Sequence, residues 1–258
     1  MIDIHAHILP GLDDGVRSID EAVEIIKQAE RGGIKIIVAT PHLIWGTAYA
    51  PSRETIEKGM KELQSRLSPA CRHVTFLSGA ELYLDGTQDI NRILKEDPIT
   101  LNNQNYLLIE FPLHQVPPNT REIVTAFLNE GIIPIIAHPE RNKDILDKPN
   151  LLFELIEQGA VSQLDGGSLL GHHGRRAKKW AEIFLVHHLV QVIASDVHFF
   201  LPGDVPYLYL AYERAVDLIG ERAAKIKVIT NPKRIIEGKE IRHLPPPIPY
   251  EEEDISGI

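Results

Sequence analysis

His5 and His7 stand two residues apart behind the first apolar run of the chain, and ligand-type side chains then follow one β-branched run after another. Thr40-Pro41-His42, Gly79-Ala80-Glu81, Glu110, His138-Pro139-Glu140-Arg141, Gln163-Leu164-Asp165 and Ser195-Asp196-Val197-His198 each close or follow such a run. Carboxylates crowded together without counter-charge repel, and histidines among them are needlessly desolvated; divalent cations resolve both problems. Mixed nitrogen and oxygen donors suit manganese, iron or zinc better than calcium, and a set without cysteine argues against a structural zinc site. Several such ions together lower the pKa of a water and clamp the oxygens of a tetrahedral or pentacoordinate centre. That favours hydrolysis of phosphate esters, amides or cyclic amides. Arg141 tips the choice toward phosphate, because a guanidinium binds two phosphoryl oxygens and offsets developing charge. The competing reading of Arg141 is a salt-bridged loop arginine. His73, His114, His172, His173, His187, His188 and His243 fall outside the pattern and are expected on the surface or on helix faces.

Other phosphatase chemistries lack their residues. Cys71 is followed six positions on by Leu77 rather than arginine, and Arg72-His73 by Val74 rather than glycine. No Gly-rich loop precedes a Lys-Ser or Lys-Thr pair. Metal-activated hydroxide is what remains.

The elements that position these groups are legible from apolar periodicity. Strands are expected near residues 2–5, 34–39, 74–77, 106–110, 132–137, 161–164 and 190–194. The first helix begins at Ser18, carries Glu21 as a capping-box partner and stops at Gly32-Gly33. Further helices are expected near 52–67, 120–130, 151–158, 175–187 and 207–219. Alternating strands and helices imply an α/β fold with a parallel sheet, open or closed into a barrel. In either form the carboxyl ends of the strands meet at one edge, and His5 and His7 project from one face there.

With 258 residues, 43% apolar and 24% charged, the chain is an ordinary globular one that buries a full core. Its net charge of −9 argues against general nucleic-acid or membrane-surface binding. No signal peptide or bilayer-length apolar run is seen, and one cysteine forms no intrachain disulfide, so a cytoplasmic location is expected without membrane insertion. Residues 1–243 are expected to form one domain. Residues 244–258, proline-rich and then acidic around Tyr250, are expected to be an extended, solvated tail.

Taken in order, Asp3-Ile4-His5-Ala6-His7, Asp13-Asp14-Gly15, Thr40-Pro41-His42, Gly79-Ala80-Glu81 and Ser195-Asp196-Val197-His198 resemble the polymerase-and-histidinol-phosphatase superfamily. Leu9-Pro10-Gly11-Leu12, Ile109-Glu110-Phe111, Ala137-His138-Pro139-Glu140-Arg141, Gly167-Ser168-Leu169-Leu170-Gly171 and Thr230-Asn231-Pro232 narrow the resemblance. They point to the manganese-dependent bacterial protein-tyrosine phosphatases of the capsular and exopolysaccharide CpsB/CapC type. The resemblance runs from residue 1 to about residue 240.

It implies a distorted seven-stranded (β/α) TIM-like barrel holding three divalent metal ions, manganese first, with iron or zinc also suitable. By the same resemblance His5, His7, Glu81 and Asp196 hold one metal, and Asp14, His42 and His198 a second. Glu81 is shared with the third, beside Glu110 and His138. Asp13 is the adjacent carboxylate with which Asp14 is most easily confused. The implied reaction is in-line attack on phosphorus by a metal-bridging hydroxide, with Arg141 on the phosphoryl oxygens and His42 or a water as candidate proton donor. The implied partner is the phosphotyrosine-bearing tail of a bacterial tyrosine kinase that regulates capsule or exopolysaccharide synthesis.

One position departs from the family, which carries a second arginine shortly after the Asp-x-His motif. Here that stretch is Phe199-Phe200-Leu201-Pro202-Gly203-Asp204-Val205-Pro206. Arg175 or Arg176 is a substitute for it, or the substrate is bound differently. Two other functions compete: a small-molecule phosphatase of the histidinol-phosphate type on the same fold, and a non-catalytic domain that binds a metal or a partner.

Overall fold

The computed structural model describes residues 1–67, 73–96, 98–199, 207–242 and 245–251. In chain order the elements are β1 (Ile2–Ala6), α1 (Ile19–Arg31), β2 (Ile36–Ala39), β3 (His42–Leu43), α2 (Arg53–Arg66), β4 (Thr75–Ser78), β5 (Glu81–Tyr83) and α3 (Ile90–Lys95). There follow β6 (Tyr106–Glu110), α4 (Thr120–Asn129), β7 (Ile133–Ala137), α5 (Lys143–Asp147), α6 (Asn150–Gln158), β8 (Val161–Asp165), α7 (Gly166–Leu170) and α8 (Gly174–Val186). The last are β9 (Val192–Ala194), α9 (Tyr207–Ile219), α10 (Glu221–Lys225) and α11 (Asn231–Ile236).

Every strand pairing is parallel. A three-stranded sheet runs β1-β2-β4, and a six-stranded sheet runs β3-β5-β6-β7-β8-β9. A bridge between Ala6 and Val197 brings the end of β1 against the chain leaving β9. The Asp196 N–H donates to the His5 carbonyl at 3.0 Å and the His7 N–H to the Val197 carbonyl at 2.9 Å. Buried Asp3 reinforces this seam by accepting from the Ser195 N–H at 3.0 Å.

Among the described residues the seven expected strands are all present, and two short strands that were not expected, β3 and β5, follow β2 and β4 where ligands sit. β2 and β3 are separated by Thr40-Pro41, where proline has no N–H to give a ladder. β4 and β5 are separated by Gly79-Ala80, and a Cβ on Gly79 would stand 2.6 Å from Leu101 Cδ2. The helix ends follow their signals closely. Ser18 caps α1 by accepting from the Glu21 N–H, while the Glu21 carboxylate takes the N–H of Arg17 rather than that of Ser18.

The core divides in two. Alternate strand residues such as Ile4, Val38, Leu108, Ile135, Val161 and Val192 pack together, with Ile235 and Ile236 of α11 beside them. The opposite strand faces, including Ile37, Leu107, Ile136 and Leu164, pack against the helices.

Most described tail residues are exposed, as expected, but Tyr250 is buried and the backbone beside it is anchored. The Ile248 N–H donates to the His187 carbonyl at 2.8 Å, and Tyr250 and Asn150 exchange two hydrogen bonds at 2.8 and 3.1 Å. The Tyr250 ring lies 5.3 Å from Trp180 and 5.7 Å from His187, with the residue 9% exposed. An apolar slot beside α8 outcompetes water for the ring. Residues 252–258 lie outside the described ones.

Candidate active site

Every ligand-type residue expected at the strand ends comes to one place. His5 is the penultimate residue of β1 and His7 follows the strand, His42 opens β3, Glu81 opens β5 and Glu110 ends β6. His138 leaves β7 with φ 32° and Asp196 leaves β9 with φ 50°, left-handed backbone that is uncommon outside glycine. Their donor atoms form three overlapping groups, each within 4.8 Å: His7, Asp14, His42 and His198; His5, His7 and Glu81; and His42, Glu81 and Glu110. Asp196 Oδ1 lies 3.1 Å from His5 Nε2, and His138 Nε2 lies 3.1 Å from Glu81 Oε1.

The side chains behind the cluster aim it. Gln163 Oε1 sits 2.8 Å from His5 Nδ1, Asp13 Oδ2 2.7 Å from His7 Nδ1, and the Asp196 carbonyl 2.9 Å from His198 Nδ1. Each contact fixes a tautomer and turns the Nε2 of its ring inward, as partners of metal-binding histidines do. The neighbouring aspartates thus separate. Asp13 also accepts the backbone N–H groups of Gly15 and His42, whereas the more exposed Asp14 carboxylate faces His42 Nε2 at 3.4 Å and His198 Nε2 at 3.7 Å.

The electrostatics of the cluster call for positive charge at its centre. Burial opposes ionisation of Glu81, yet His5, His138 and His42 hold its carboxyl well below the usual range. Burial likewise opposes ionisation of Asp196, and His5 and His7 hold it well below its ordinary value. Burial disfavours the His5 imidazolium, but Glu81 and Asp196 outweigh it and raise the ring. His7 is raised further, with burial overcome by Asp13, Asp196 and Glu81. Protons on both rings would meet head-on, because His5 Nε2 and His7 Nε2 are 3.0 Å apart. His42 Nδ1, Glu81 Oε2 and Asp196 Oδ1 are buried without a hydrogen-bond partner, although the first two lie 2.9 Å apart. Converging donor atoms of this kind fit cations that replace the protons these rings would otherwise hold.

Arg141 stands at the rim with Nη1 2.8 Å from Asp196 Oδ2 and 3.6 Å from Asp165 Oδ2. Asp165 ends β8, is buried, and also lies 2.6 Å from His173 Nε2. His173 was expected away from the site, and sequence offered no signal for it beyond its place after Gly171. Gln163 was a strand-end residue without an assigned role, although its inward position on β8 is the one that meets His5. A cavity of about 570 Å³ opens against the cluster, with Asp14, Arg141, Asp196 and His198 in its lining. A neighbouring cavity of about 470 Å³ shares Arg141 and His173 and adds Arg176, whose Nη2 is 2.8 Å from Asp147 Oδ1. Residues 200–206, where the second family arginine would fall, lie outside the described ones; Phe199 is described.

Known proteins place this arrangement in context. The chain is 37% identical over 198 residues to the tyrosine-protein phosphatase YwqE of Bacillus subtilis, covering 77% of each. It is 32% identical over 243 residues to the tyrosine-protein phosphatase CpsB of Streptococcus pneumoniae, covering 92% of this chain and 98% of that one. The crystal structures of YwqE and CpsB, described as unique metal-dependent tyrosine phosphatases, give a match with TM-score 0.88 and 31% identity over 98% of this chain and 100% of that one. A phosphotriesterase homology protein from Escherichia coli shares the fold at TM-score 0.60 and 10% identity, covering 91% of this chain and 98% of that one. The family model for capsular polysaccharide synthesis, CpsB/CapC, matches residues 1–237. With the family model matching residues 1–237 and CpsB 32% identical over 92% of its length, the chain belongs to the CpsB/CapC family.

Proposed function

We propose that the chain is a metal-dependent protein-tyrosine phosphatase. The observation that carries this reading is the convergence of three overlapping donor groups beside Arg141, in a chain related along most of its length to tyrosine phosphatases. Three divalent ions, manganese first with iron or zinc as alternatives, are assigned to it. His5, His7, Glu81 and Asp196 hold one, Asp14, His42 and His198 a second, and Glu81, Glu110 and His138 the third. When bound, such ions supply Lewis acidity and a water acidic enough to attack phosphorus at neutral pH.

The residues of the chain do the rest. Arg141 is held by Asp196 and Asp165 at the cavity rim, where its remaining N–H groups orient phosphoryl oxygens and offset their charge. Gln163 and Asp13 keep His5 and His7 in register. Both nitrogens of His42 face carboxylates, which suits holding metal better than donating a proton. A phenol, with a pKa of about 10, leaves with less need of protonation than an alkyl alcohol.

The scaffold is read as a distorted seven-stranded barrel in which β2 and β3 form one stave, β4 and β5 another, and the Ala6–Val197 bridge closes the ring. The separate cluster of alternate strand residues supports this reading. Residues 1–243 form its single domain. The substrate is assigned as the phosphorylated tail of a tyrosine kinase of capsule or exopolysaccharide synthesis, in keeping with the family. No helix among the described residues is long and apolar enough to cross a membrane.

The test is phosphate release from a phosphotyrosine peptide and from histidinol phosphate, with added manganese, with chelator, and with His138→Ala. Release from the peptide that chelator abolishes, and that His138→Ala lowers at least a hundredfold, is the expected outcome. Faster release from histidinol phosphate by the metal-loaded protein would reassign it to small metabolites.

A further inference from the structure

Gly167-Ser168-Leu169-Leu170-Gly171 offers no metal ligand, and the histidines after it stand outside the ligand pattern. Their backbone nevertheless brings them to the reaction cavity. Asp165 caps the single short helix α7, and Gly171 ends it at φ +92°, a conformation open to glycine. The chain then doubles back, with the His172 N–H donating to the Gly167 carbonyl at 2.9 Å. A Cβ on Gly167 would lie 3.1 Å from Asp165 Oδ1, 3.4 Å from His173 Nε2 and 3.5 Å from His172 Nδ1. The tight approach there is to Asp165, and both rings pack over the helix at ordinary contact distance.

His172 then meets Tyr207 edge-on, with ring centroids 4.7 Å apart and planes at 72°. Phe199, 55% exposed, lines the same cavity directly after the ligand His198. The cavity lining is therefore of two kinds: charged groups of the cluster, and three aromatic rings from unrelated stretches of chain. An ester with its phosphoryl group against Asp14, Asp196, His198 and Arg141 has to lead its leaving group into this space.

We propose that His172, Tyr207 and Phe199 seat the aromatic ring of an aryl phosphate ester and so select phosphotyrosine over alkyl phosphates. The inference rests on the phosphatase reading above. Ring-on-ring contacts favour an arene beyond simple area burial, and an alkyl chain gains no such term.

The experiment compares kcat/KM of the metal-loaded full chain on one peptide carrying phosphotyrosine and on the same peptide carrying phosphoserine. His172→Ala, Phe199→Ala, Tyr207→Ala and Tyr207→Phe are measured alongside the parent. The aryl-to-alkyl ratio is expected to fall about tenfold in the alanine variants, through KM on phosphotyrosine, and to be retained in Tyr207→Phe. His172 and Phe199 are exposed, so their alanine variants keep the reading independent of folding. An unchanged ratio in those two variants overturns the seat and leaves the phosphatase reading standing. A parent protein that hydrolyses only the alkyl ester overturns both.

Discussion

At the scale of single residues, the cluster works through side chains that touch no phosphate. His5 is turned by Gln163 and His7 by Asp13, and the two rings then present nitrogens 3.0 Å apart. A buried glutamine is a neutral way to hold one imidazole, and replacing it frees the ring to rotate. Gln163→Leu is expected to weaken metal binding about 10–100-fold while leaving every proposed ligand in place. Gln163→Glu, which still accepts from Nδ1, should recover most of that loss. Metal content after dialysis against graded chelator measures both, and equal content in parent and Gln163→Leu would refute the orienting role. Asp14 and Asp13 could not be separated by sequence, because adjacent carboxylates in one loop carry the same composition. They diverge only where the turn at Gly15 directs one inward to His7 and leaves the other facing His42 and His198.

At the scale of elements, the carboxyl ends of the strands carry the ligands, and a buried charge sits near the opposite end of β9. Lys227, in the π-helical stretch Ile226–Thr230, is 3% exposed and its Nζ donates to the Val190 carbonyl at the amino end of β9. Burial pushes the ammonium down to about 8, well below its unfolded value. The folded state therefore binds this proton less tightly than the unfolded chain does. Stability attached to the group is absent below pH 8 and grows as pH rises from about 8 to 10.5. Lys227→Met is expected to stabilise the protein at pH 7 by about 2 kcal/mol, the desolvation relief less one lost hydrogen bond. That gain should shrink toward zero by pH 10. Denaturant unfolding at the two pH values checks it, and a gain that is constant with pH would show the lysine is not the cause. The strands themselves were legible as seven apolar runs. The two short strands beyond the second and third runs were not, because Pro41 and Gly79 act through a missing N–H and a close approach to Leu101 rather than through hydrophobicity.

At the scale of the whole molecule, stretches far apart along the chain are tied together. Asp3 in β1 binds the Ser195 backbone, and Tyr250 packs across α6 and α8 against Asn150, Trp180 and His187. The acidic, proline-rich composition of the last residues pointed to solvent, whereas one aromatic ring with a matching slot decides otherwise. Ending the chain at Arg242 is expected to lower stability by about 2 kcal/mol, the worth of burying one large side chain. A shifted urea midpoint at unchanged slope would show it, and an unshifted midpoint would return the tail to solvent. Because Tyr250 is buried, phosphorylation of this ring requires the tail to leave its slot first.

The sequence by itself determined the α/β order, the parallel strands and the set of donors proposed to hold metal. Those follow from β-branched apolar runs alternating with helical periodicity and from what ends each run, and both are local properties of the chain. Tertiary structure alone decided which carboxylate of a neighbouring pair faces inward, that Arg141 is shared between Asp196 and Asp165, and that His172 and His173 return to the cavity. These depend on where side chains from distant stretches converge. Convergence is set by packing and backbone reversal, and neither is written in the spacing of residues along the chain.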